Sequence, residues 1–318
     1  MGMLVNGTWF DDDPLPADRG GAFLRPDSSF RDTVSRDGSA RFPAEPGRYQ
    51  LVTAPSCPWA HRTVLMRALK QLNDVIPLLE SDLPKGEGWA YSRGFDDLAP
   101  KDGVFHIHQV YSAAQPDYTG RATVPVLWDR KTKTIVNNES SEIVRMLNSE
   151  FAGIGAAPTD YYPAPLRAEI DRVNDTVYAN INNGVYRCGF ARSQAAYEEA
   201  YDALFAAFDD IEARLGRQRY LVGDQITEAD WRLFPTLVRF DVAYFSLFKC
   251  NRNRIADYPN LLNYMRDLYA VPGIAETVKP RYYVMGYYSI TRINPTGIIP
   301  KGTPVDYQKP HDRARFAA

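Results

Sequence analysis

One cysteine stands where its thiol could act as a nucleophile. Cys57 follows an apolar, β-branched run at 48–53, and apolar residues at 64–72 recur behind it with a helical period. Pro58 suits the first position of a helix, so Cys57 is predicted to lie at or next to the N-cap. Because the N-terminal end of a helix favours an anion, we expect the thiolate form of Cys57 to be stabilised.

The residues after Cys57 restrict what such a thiolate can do. Cys57-Pro58-Trp59-Ala60 resembles a Cys-x-x-Cys redox motif in which Ala60 replaces the second cysteine. A thiolate without that neighbour can attack a sulfur, but an external thiol must then release the product. A buried structural role is the alternative for any free cysteine, and we assign that role to Cys188 and Cys250.

Two further segments suit a small zwitterionic peptide that carries a thiol. Val124-Pro125 precedes a predicted strand, and a cis bond there would expose the backbone of Val124 to a ligand. Most bonds before proline are trans, and both isomers stay open at this position. Glu139-Ser140 begins a predicted helix, where N–H groups and the hydroxyl can hold a carboxylate and Glu139 can bind an ammonium. An ordinary N-terminal cap is the equal alternative.

The histidines point to no metal site. His106 and His108 could face one way on a strand, but we find no third ligand at a suitable spacing, so no metal is expected. His61 follows Cys57 by four residues, which would put its ring a helical turn from the thiol. We expect His61 on the surface or in an ion pair.

The elements that would position these residues fall into two halves. A β-α-β-loop-β-β-α order precedes a region of helical stripes, and Thr227-Glu228-Ala229-Asp230 has the spacing of a capping box. The predicted organisation is an N-terminal arm at 1–44, an α/β domain at 45–150 with an irregular insertion at 80–122, a linker at 151–165, an all-helical domain at 166–288 and an extended tail at 289–318.

Composition sets the limits on partners and location. The 318 residues include 37 Lys and Arg against 39 Asp and Glu, a net charge of −2 that favours neither nucleic acid nor an anionic membrane. No run reaches the ~18 apolar residues of a membrane span, and the first residues lack the pattern of a signal peptide. The three cysteines argue against a disulfide framework, so we expect a reducing, cytoplasmic location.

Five stretches, in order along the chain, carry a resemblance to a known family. They are Ala54-Pro55-Ser56-Cys57-Pro58-Trp59-Ala60-His61-Arg62, Thr123-Val124-Pro125-Val126-Leu127-Trp128-Asp129, Asn138-Glu139-Ser140-Ser141-Glu142-Ile143, Gly184-Val185-Tyr186 and Ile293-Asn294-Pro295-Thr296-Gly297-Ile298-Ile299-Pro300. Together they resemble the glutathionyl-hydroquinone reductases, the omega-like Xi class of glutathione transferases. The resemblance implies a thioredoxin-like α/β domain followed by an all-α helical-bundle domain, glutathione as co-substrate and a homodimer.

The resemblance also implies roles for individual residues. Cys57 would be the nucleophile, and glutathione would contact Trp89, the Val124 backbone, Glu139 and Ser140. A loop tryptophan that packs only locally is the alternative for Trp89.

Tyrosines over an aromatic substrate are a further implication. Tyr186 matches one of them, and we favour Tyr287 as the second. The segment lacks the His expected ahead of the tyrosine pair, so the choice among Tyr282, Tyr283, Tyr287 and Tyr288 stays open. Any one of 20 tyrosines can instead be a core residue.

The leading hypothesis is reduction of glutathionyl-hydroquinones to hydroquinones. Cys57 would take the glutathione sulfur as a mixed disulfide, Tyr186 and Tyr287 would protonate or stabilise the leaving hydroquinone, and a second glutathione would release oxidised glutathione. Such a reaction would serve quinone detoxification. The alternatives are a general omega-like thioltransferase or dehydroascorbate reductase, which needs no aromatic pocket, and a non-catalytic binding module of the same fold.

Overall fold

The chain forms two compact units in a computed structural model that describes residues 2–11, 16–100, 103–302 and 305–316. Unit 1 consists of Met1–Leu15 and Pro26–Thr159, and unit 2 of Pro16–Arg25 and Asp160–Ala318. Residues 16–25 of the predicted N-terminal arm are therefore grouped with unit 2, whereas 12–15 lie outside the described residues. Within the described part, no helix has both the length and the apolar character needed to cross a bilayer.

A four-stranded mixed sheet forms the centre of unit 1. Its order is β10-β9-β5-β6, with β5 and β6 parallel and the other neighbours antiparallel. The strands are β5 (Tyr49–Thr53), β6 (Leu78–Glu80), β9 (Val126–Asp129) and β10 (Thr134–Asn137). All five residues of β5 are buried, as its apolar, β-branched sequence predicts. The strand β6 lies at the edge of the sheet and begins at Leu78, directly after Pro77.

The remaining elements of unit 1 are three strand pairs and three helices among the described residues. Three two-stranded pairs are β1 (Met3–Val5) with β2 (Thr8–Phe10), β3 (Val34–Ser35) with β4 (Phe42–Pro43), and β7 (Ala90–Tyr91) with β8 (Phe105–His106). The helices are α1 (Pro58–Leu69), α2 (Ile107–Ala114) and α3 (Ser140–Ser149).

The insertion at 80–122 is more ordered than the irregular loop predicted for it. It contains β7, β8 and α2, although 101–102 lie outside the described residues. The buried residues of α2 are Ile107, Val110 and Tyr111, an i, i+3, i+4 pattern that spans only one turn. So short a pattern is hard to separate from chance in the sequence. The helix is recognised only from the packing of these residues against the core of unit 1.

Unit 2 carries seven α-helices among the described residues. They are α4 (Arg167–Thr176), α5 (Gly184–Phe190), α6 (Gln194–Leu215), α7 (Glu228–Arg239), α8 (Phe245–Leu247), α9 (Pro259–Tyr269) and α10 (Pro280–Tyr288). Two π-helical segments, Val177–Asn182 before α5 and Phe240–Tyr244 before α8, interrupt the α-helical hydrogen-bond pattern. The first residue of α9 is Pro259, a position where the missing N–H of proline costs no helical hydrogen bond.

The predicted capping box at the start of α7 is present. Asp230 accepts from the Thr227 N–H at 2.7 Å and from the Leu221 N–H at 2.9 Å, and the Tyr264 hydroxyl donates to it at 2.7 Å. Asp230 is fully buried, and this desolvation raises its pKa in spite of the donors. One carboxylate thus joins the start of α7 to the preceding loop and to α9.

The tail, predicted as extended, also packs on the helices of unit 2. Arg313 opens a short 3-10 turn, Arg313–Phe316, and its side chain is fully buried. The guanidinium donates to the carbonyls of Leu215 at 2.8 Å and of Gln218 and Arg219 at 2.6 Å each. The tail residues 303–304 and 317–318 lie outside the described residues.

Candidate functional site

Cys57 is the N-cap of α1. Its backbone is extended, and its Sγ accepts from the N–H of Ala60 at 3.5 Å, while the thiol donates to the carbonyl of Val124 at 3.5 Å. The side chain is only partly buried, so a small molecule can reach it. Ala60 thus supplies a backbone donor where a Cys-x-x-Cys motif would supply a second thiol. A helix N-cap with such a donor stabilises the thiolate relative to the thiol.

Val124 borders the thiol through its backbone. The Val124–Pro125 bond is cis, which resolves the alternative left open by the sequence. Cys57, Trp89 and Val124 belong to or pack against one apolar cluster in the core of unit 1. Three of the predicted site residues therefore belong to or border the same apolar core.

Glu139 and Ser140 lie at the start of α3. The Glu139 carboxylate accepts from the Ser141 N–H at 3.0 Å, the Ser141 hydroxyl at 2.9 Å and the Ser28 hydroxyl at 3.0 Å. Burial alone would raise the pKa of Glu139, but these hydrogen bonds and the positive charge of Arg62 outweigh it and lower the pKa. The carboxylate is therefore ionised at neutral pH, in a form that can bind an ammonium group.

A buried phenol joins the two segments that carry Val124 and Glu139. The Tyr111 hydroxyl donates to the Thr123 carbonyl at 2.9 Å and accepts from the Asn138 side-chain amide at 2.9 Å. Tyr111 lies on α2 and is fully buried. Sequence reasoning missed it because a tyrosine in an insertion gives no sign of which distant backbone it will contact.

Lys85 is a second residue that the sequence did not reveal. It is half-buried in the insertion, and its Nζ lies 4.0 Å from the centre of the Trp89 ring, a cation–π contact. Burial lowers the pKa of Lys85 to about 8, and the nearby Cys57 charge opposes this by raising it. The ammonium and the thiolate therefore stabilise each other electrostatically.

One of the two expectations for His61 is wrong. The residue lies on α1 and is only 4% exposed, which excludes a surface position, and the ion pair stays a prediction. Cys188 and Cys250 are 2% and 0% exposed, in keeping with structural roles, and burial raises the pKa of Cys250 well above its usual value.

The predicted tyrosines of unit 2 form a hydroxyl cluster. The Tyr287 hydroxyl, on α10, lies 2.7 Å from that of Tyr186, on α5, and 2.7 Å from that of Tyr244. Tyr244 was missed, because nothing in its sequence context separates it from a core residue. Arg25 lies over the Tyr186 ring, 4.7 Å from its centre, and donates to Asn183 at 2.9 Å. Burial raises the pKa of Tyr244 and Tyr287 well above 10, so both hydroxyls stay protonated.

The other three candidates for the second tyrosine have different surroundings. Tyr282 is 41% exposed, and Tyr288 is buried with its pKa raised by desolvation. Tyr283 is fully buried beneath the Arg239 guanidinium, 3.8 Å from its ring centre, and accepts from the Lys279 N–H at 3.0 Å.

The histidine pair has a third partner after all. The fold brings the Glu87 carboxylate to His106 and His108, so that one donor atom from each lies within 4.8 Å of the others. We expected no metal because no third ligand stood at a suitable spacing. The fold supplies a third candidate ligand, so that reason is wrong. The sequence could not reveal it, because Glu87 lies 19 residues before His106 at an uninformative spacing.

The chain matches two family models, one in each unit. Residues 56–150 match the N-terminal domain of glutathione S-transferase, and residues 194–267 match its C-terminal domain. The match to the first model begins next to Cys57 and includes α1, the four-stranded sheet except β5, and α3.

Relatives of known name cover nearly the whole chain. It is 50% identical over 306 residues to glutathionyl-hydroquinone reductase PcpF of Sphingobium chlorophenolicum, which covers 95% of this chain and 96% of that protein. It is 45% identical over 324 residues to glutathionyl-hydroquinone reductase YqjG of Escherichia coli K12, with 98% of each covered.

Solved structures agree with these relatives. The glutathione-bound structure of YqjG superposes with a TM-score of 0.88 at 43% identity, over 98% of this chain and 99% of that one. The Xi class glutathione transferase of Natrialba magadii superposes with a TM-score of 0.90 at 42% identity, over 99% and 98%.

Proposed function

The chain belongs to the glutathione transferase family, among the glutathionyl-hydroquinone reductases of the Xi class. On this premise we propose that it reduces glutathionyl-hydroquinones through a mixed disulfide on Cys57. It is an enzyme that uses glutathione as co-substrate. The observation that carries the assignment of Cys57 is its place at the N-cap of α1, partly exposed and bonded to the Ala60 N–H.

In the first step the Cys57 thiolate attacks the glutathione sulfur of the substrate. The bond between that sulfur and the hydroquinone ring carbon breaks, a Cys57–glutathione disulfide forms, and the ring carbon takes up a proton. The carbon is reduced and the two sulfurs are oxidised. The products are the free hydroquinone and the mixed disulfide.

In the second step a glutathione thiolate attacks the mixed disulfide at the glutathione sulfur. Oxidised glutathione leaves, and Cys57 returns as a thiolate. No second thiol is needed within the motif, because Ala60 occupies the position of a resolving cysteine and the external thiol replaces it. The sum converts one glutathionyl-hydroquinone and one glutathione into hydroquinone and oxidised glutathione.

The ends of glutathione are assigned to fixed groups of unit 1. Glu139, held ionised by Ser141 and Ser28, would bind the ammonium group, and the α3 N-terminus with the Ser140 hydroxyl would bind the adjoining carboxylate. The Val124 backbone would pair with the peptide backbone of glutathione. Trp89 would cover the peptide, with Lys85 as an added positive charge beside it.

The hydroquinone is assigned to the tyrosines of unit 2. Tyr186 is the least buried of the three phenols, and the hydroxyl of Tyr287, itself bonded to that of Tyr244, holds the Tyr186 hydroxyl in place. We assign to Tyr186 a hydrogen bond with a hydroquinone oxygen, and to Tyr287 the support of that hydroxyl. This pocket separates the proposed activity from that of a general thioltransferase, which needs no aromatic site.

The decisive experiment follows oxidised glutathione and benzohydroquinone produced from glutathionyl-benzohydroquinone and glutathione. Cys57→Ala should abolish both products, and Cys57→Ser should fail to form the mixed disulfide seen by intact-protein mass spectrometry in the wild type. Cys250→Ala is the matched control, because it removes a buried thiol outside the proposed machinery. Full turnover by Cys57→Ala would disprove the mechanism.

A second measurement tests the aromatic pocket separately. Tyr186→Phe should lower turnover of the glutathionyl-hydroquinone about 10-fold, as expected for one lost hydrogen bond of about 1.4 kcal/mol, and leave exchange with a small aliphatic disulfide unchanged. Equal losses for the two substrates would favour a structural role for Tyr186.

We also propose a homodimer in a reducing, cytoplasmic location. The three free cysteines support the reducing compartment, and the resemblance supports the dimer. Light scattering after size exclusion checks the dimer, and fluorescence microscopy of the tagged chain checks the location.

A further inference from the structure

A group of donor atoms in unit 1 takes no part in the proposed reaction. The carboxylate of Glu87 and the imidazoles of His106 and His108 each direct one atom into a region where all three lie within 4.8 Å of one another. His108 Nε2 is 2.9 Å from a carboxylate oxygen of Glu87. Two imidazoles and one carboxylate are a donor set that borderline divalent cations such as Zn²⁺ bind, with one position left open.

The backbone of the insertion brings the three side chains together. His106 ends β8 and pairs with Ala90 of β7, and the next residue donates its N–H to the carbonyl of Trp89 at 3.0 Å. The strand pair therefore holds the two histidines beside the segment that contains Glu87. These are main-chain hydrogen bonds, which fix the positions of the ligand-bearing residues in the fold.

A tight turn sets the position of the carboxylate. The Gly88 N–H donates to the Gly86 carbonyl at 2.7 Å, which leaves Glu87 at the tip of the turn, and Gly88 has φ +80°. A methyl group at Gly86 would come within 3.1 Å of His106 Nε2. The imidazole therefore packs directly on the glycine backbone beside the carboxylate.

Ring stacking holds both imidazoles before any ion binds. His108 stacks on Trp9 with centroids 5.0 Å apart, and His106 stacks on His108 at 5.5 Å with planes only 10° apart. Side chains already fixed by packing lose less conformational entropy on binding a ligand. Glu87 is the adjustable member, because its side chain is 52% exposed.

We propose that Glu87, His106 and His108 bind one divalent transition-metal ion, with Zn²⁺ as the representative. Metal–ligand bonds of about 2.0–2.1 Å in a tetrahedral site place the donors about 3.3 Å apart. A set within 4.8 Å reaches that spacing by rotation of the exposed Glu87 side chain and small shifts of the rings. The ion would join the turn at 86–88 to β8 and α2, and so hold the segment that carries Trp89.

The test measures metal affinity of the full chain without an affinity tag, reduced and stripped of metal. Zn²⁺ is titrated in competition with a chromophoric chelator, and Co²⁺ absorption reports the ligand set. The measurements are repeated in Cys57→Ser, which lacks the accessible thiol. We expect one equivalent of Zn²⁺ in both forms, weakened at least ~10-fold by His106→Gln, by His108→Gln and by Glu87→Gln.

Two controls keep the outcome clear. His311→Gln, which removes a histidine of unit 2, should bind Zn²⁺ like the wild type. Glu87→Gln changes an exposed side chain by one atom, so it tests the site even if a histidine variant fails to fold. Zn²⁺ affinity unchanged by Glu87→Gln, or no Zn²⁺ equivalent in the wild type, would overturn the proposal.

Discussion

Replacing Tyr111 with Phe removes one oxygen atom and tests how the glutathione site is held. That hydroxyl bonds the Thr123 carbonyl and the Asn138 amide, both at 2.9 Å, inside a fully buried environment. A net hydrogen bond contributes about 0.5–1.5 kcal/mol, and a buried amide left without a partner costs about 1–3 kcal/mol. We therefore expect Tyr111→Phe to lower the free energy of unfolding by about 2–4 kcal/mol.

Tyr118→Phe is the matched control for this change. Tyr118 packs 5.1 Å from Tyr111, and its hydroxyl pairs with the hydroxyl of Ser29 at 2.9 Å. The Ser29 hydroxyl can turn to another partner, so the control should lose no more than about 1.5 kcal/mol. Urea unfolding followed by circular dichroism measures both variants.

The same substitution should separate binding from thiol chemistry. Without Tyr111 the segments of Val124 and Glu139 lose their common tie, and we expect the KM for glutathione to rise about 10-fold, which corresponds to about 1.4 kcal/mol. The donor to Cys57 comes from α1, so iodoacetamide alkylation of Cys57 should stay within about 2-fold of wild type. Burial raises the pKa of Tyr111 to about 12, so these effects should be constant from pH 6 to 9. A stability and KM equal to those of Tyr118→Phe would refute the reasoning.

Three other changes give separate expectations. Glu139→Gln removes the charge proposed for the ammonium group, so steady-state kinetics should show a KM for glutathione raised about 10- to 100-fold, whereas an unchanged KM would contradict that role. Lys85→Met removes a cation whose pKa is lowered by burial to about 8. At pH 6.5, where Lys85 of the wild type is charged, the variant should show several-fold slower alkylation of Cys57. Above about pH 9, where Lys85 is neutral, the two proteins should be alkylated at the same rate. Asp230→Ala leaves the buried donors of Thr227 and Tyr264 unpaired, so urea unfolding should show a loss of about 3–5 kcal/mol, and a loss below 1 kcal/mol would contradict the importance of the capping box.

The sequence predicted those parts of the fold whose geometry is determined by residues close together along the chain. Three such parts are the strand before Cys57, the helix start at Pro58 and the capping box at Thr227, and each depends on residues within one or two turns. The fold class followed from the order of such elements together with the resemblance, and the family matches confirm it.

Contacts between distant residues could not be predicted in the same way. Tyr111 gives no local sign that it will bond Thr123 and Asn138, and Glu87 none that it will meet His106. The burial of His61 depends on what packs over α1, which spacing within that helix does not reveal. Among 20 tyrosines, the choice of Tyr244 requires knowledge of which hydroxyls meet in space.

The π-helical segment Val177–Asn182 gives the helix that leads to Tyr186 one residue more than a regular α-helix would need. A π-helical turn holds more residues than the 3.6 of an α-helical turn, so six residues in it advance by roughly the angle of five α-helical ones. Deleting one residue from this segment would let it close as regular α-helix and leave Tyr186 directed at Tyr287, whose hydroxyl lies 2.7 Å from its own. One residue inserted there would instead rotate α5 by about 100° and carry Tyr186 away from that hydroxyl.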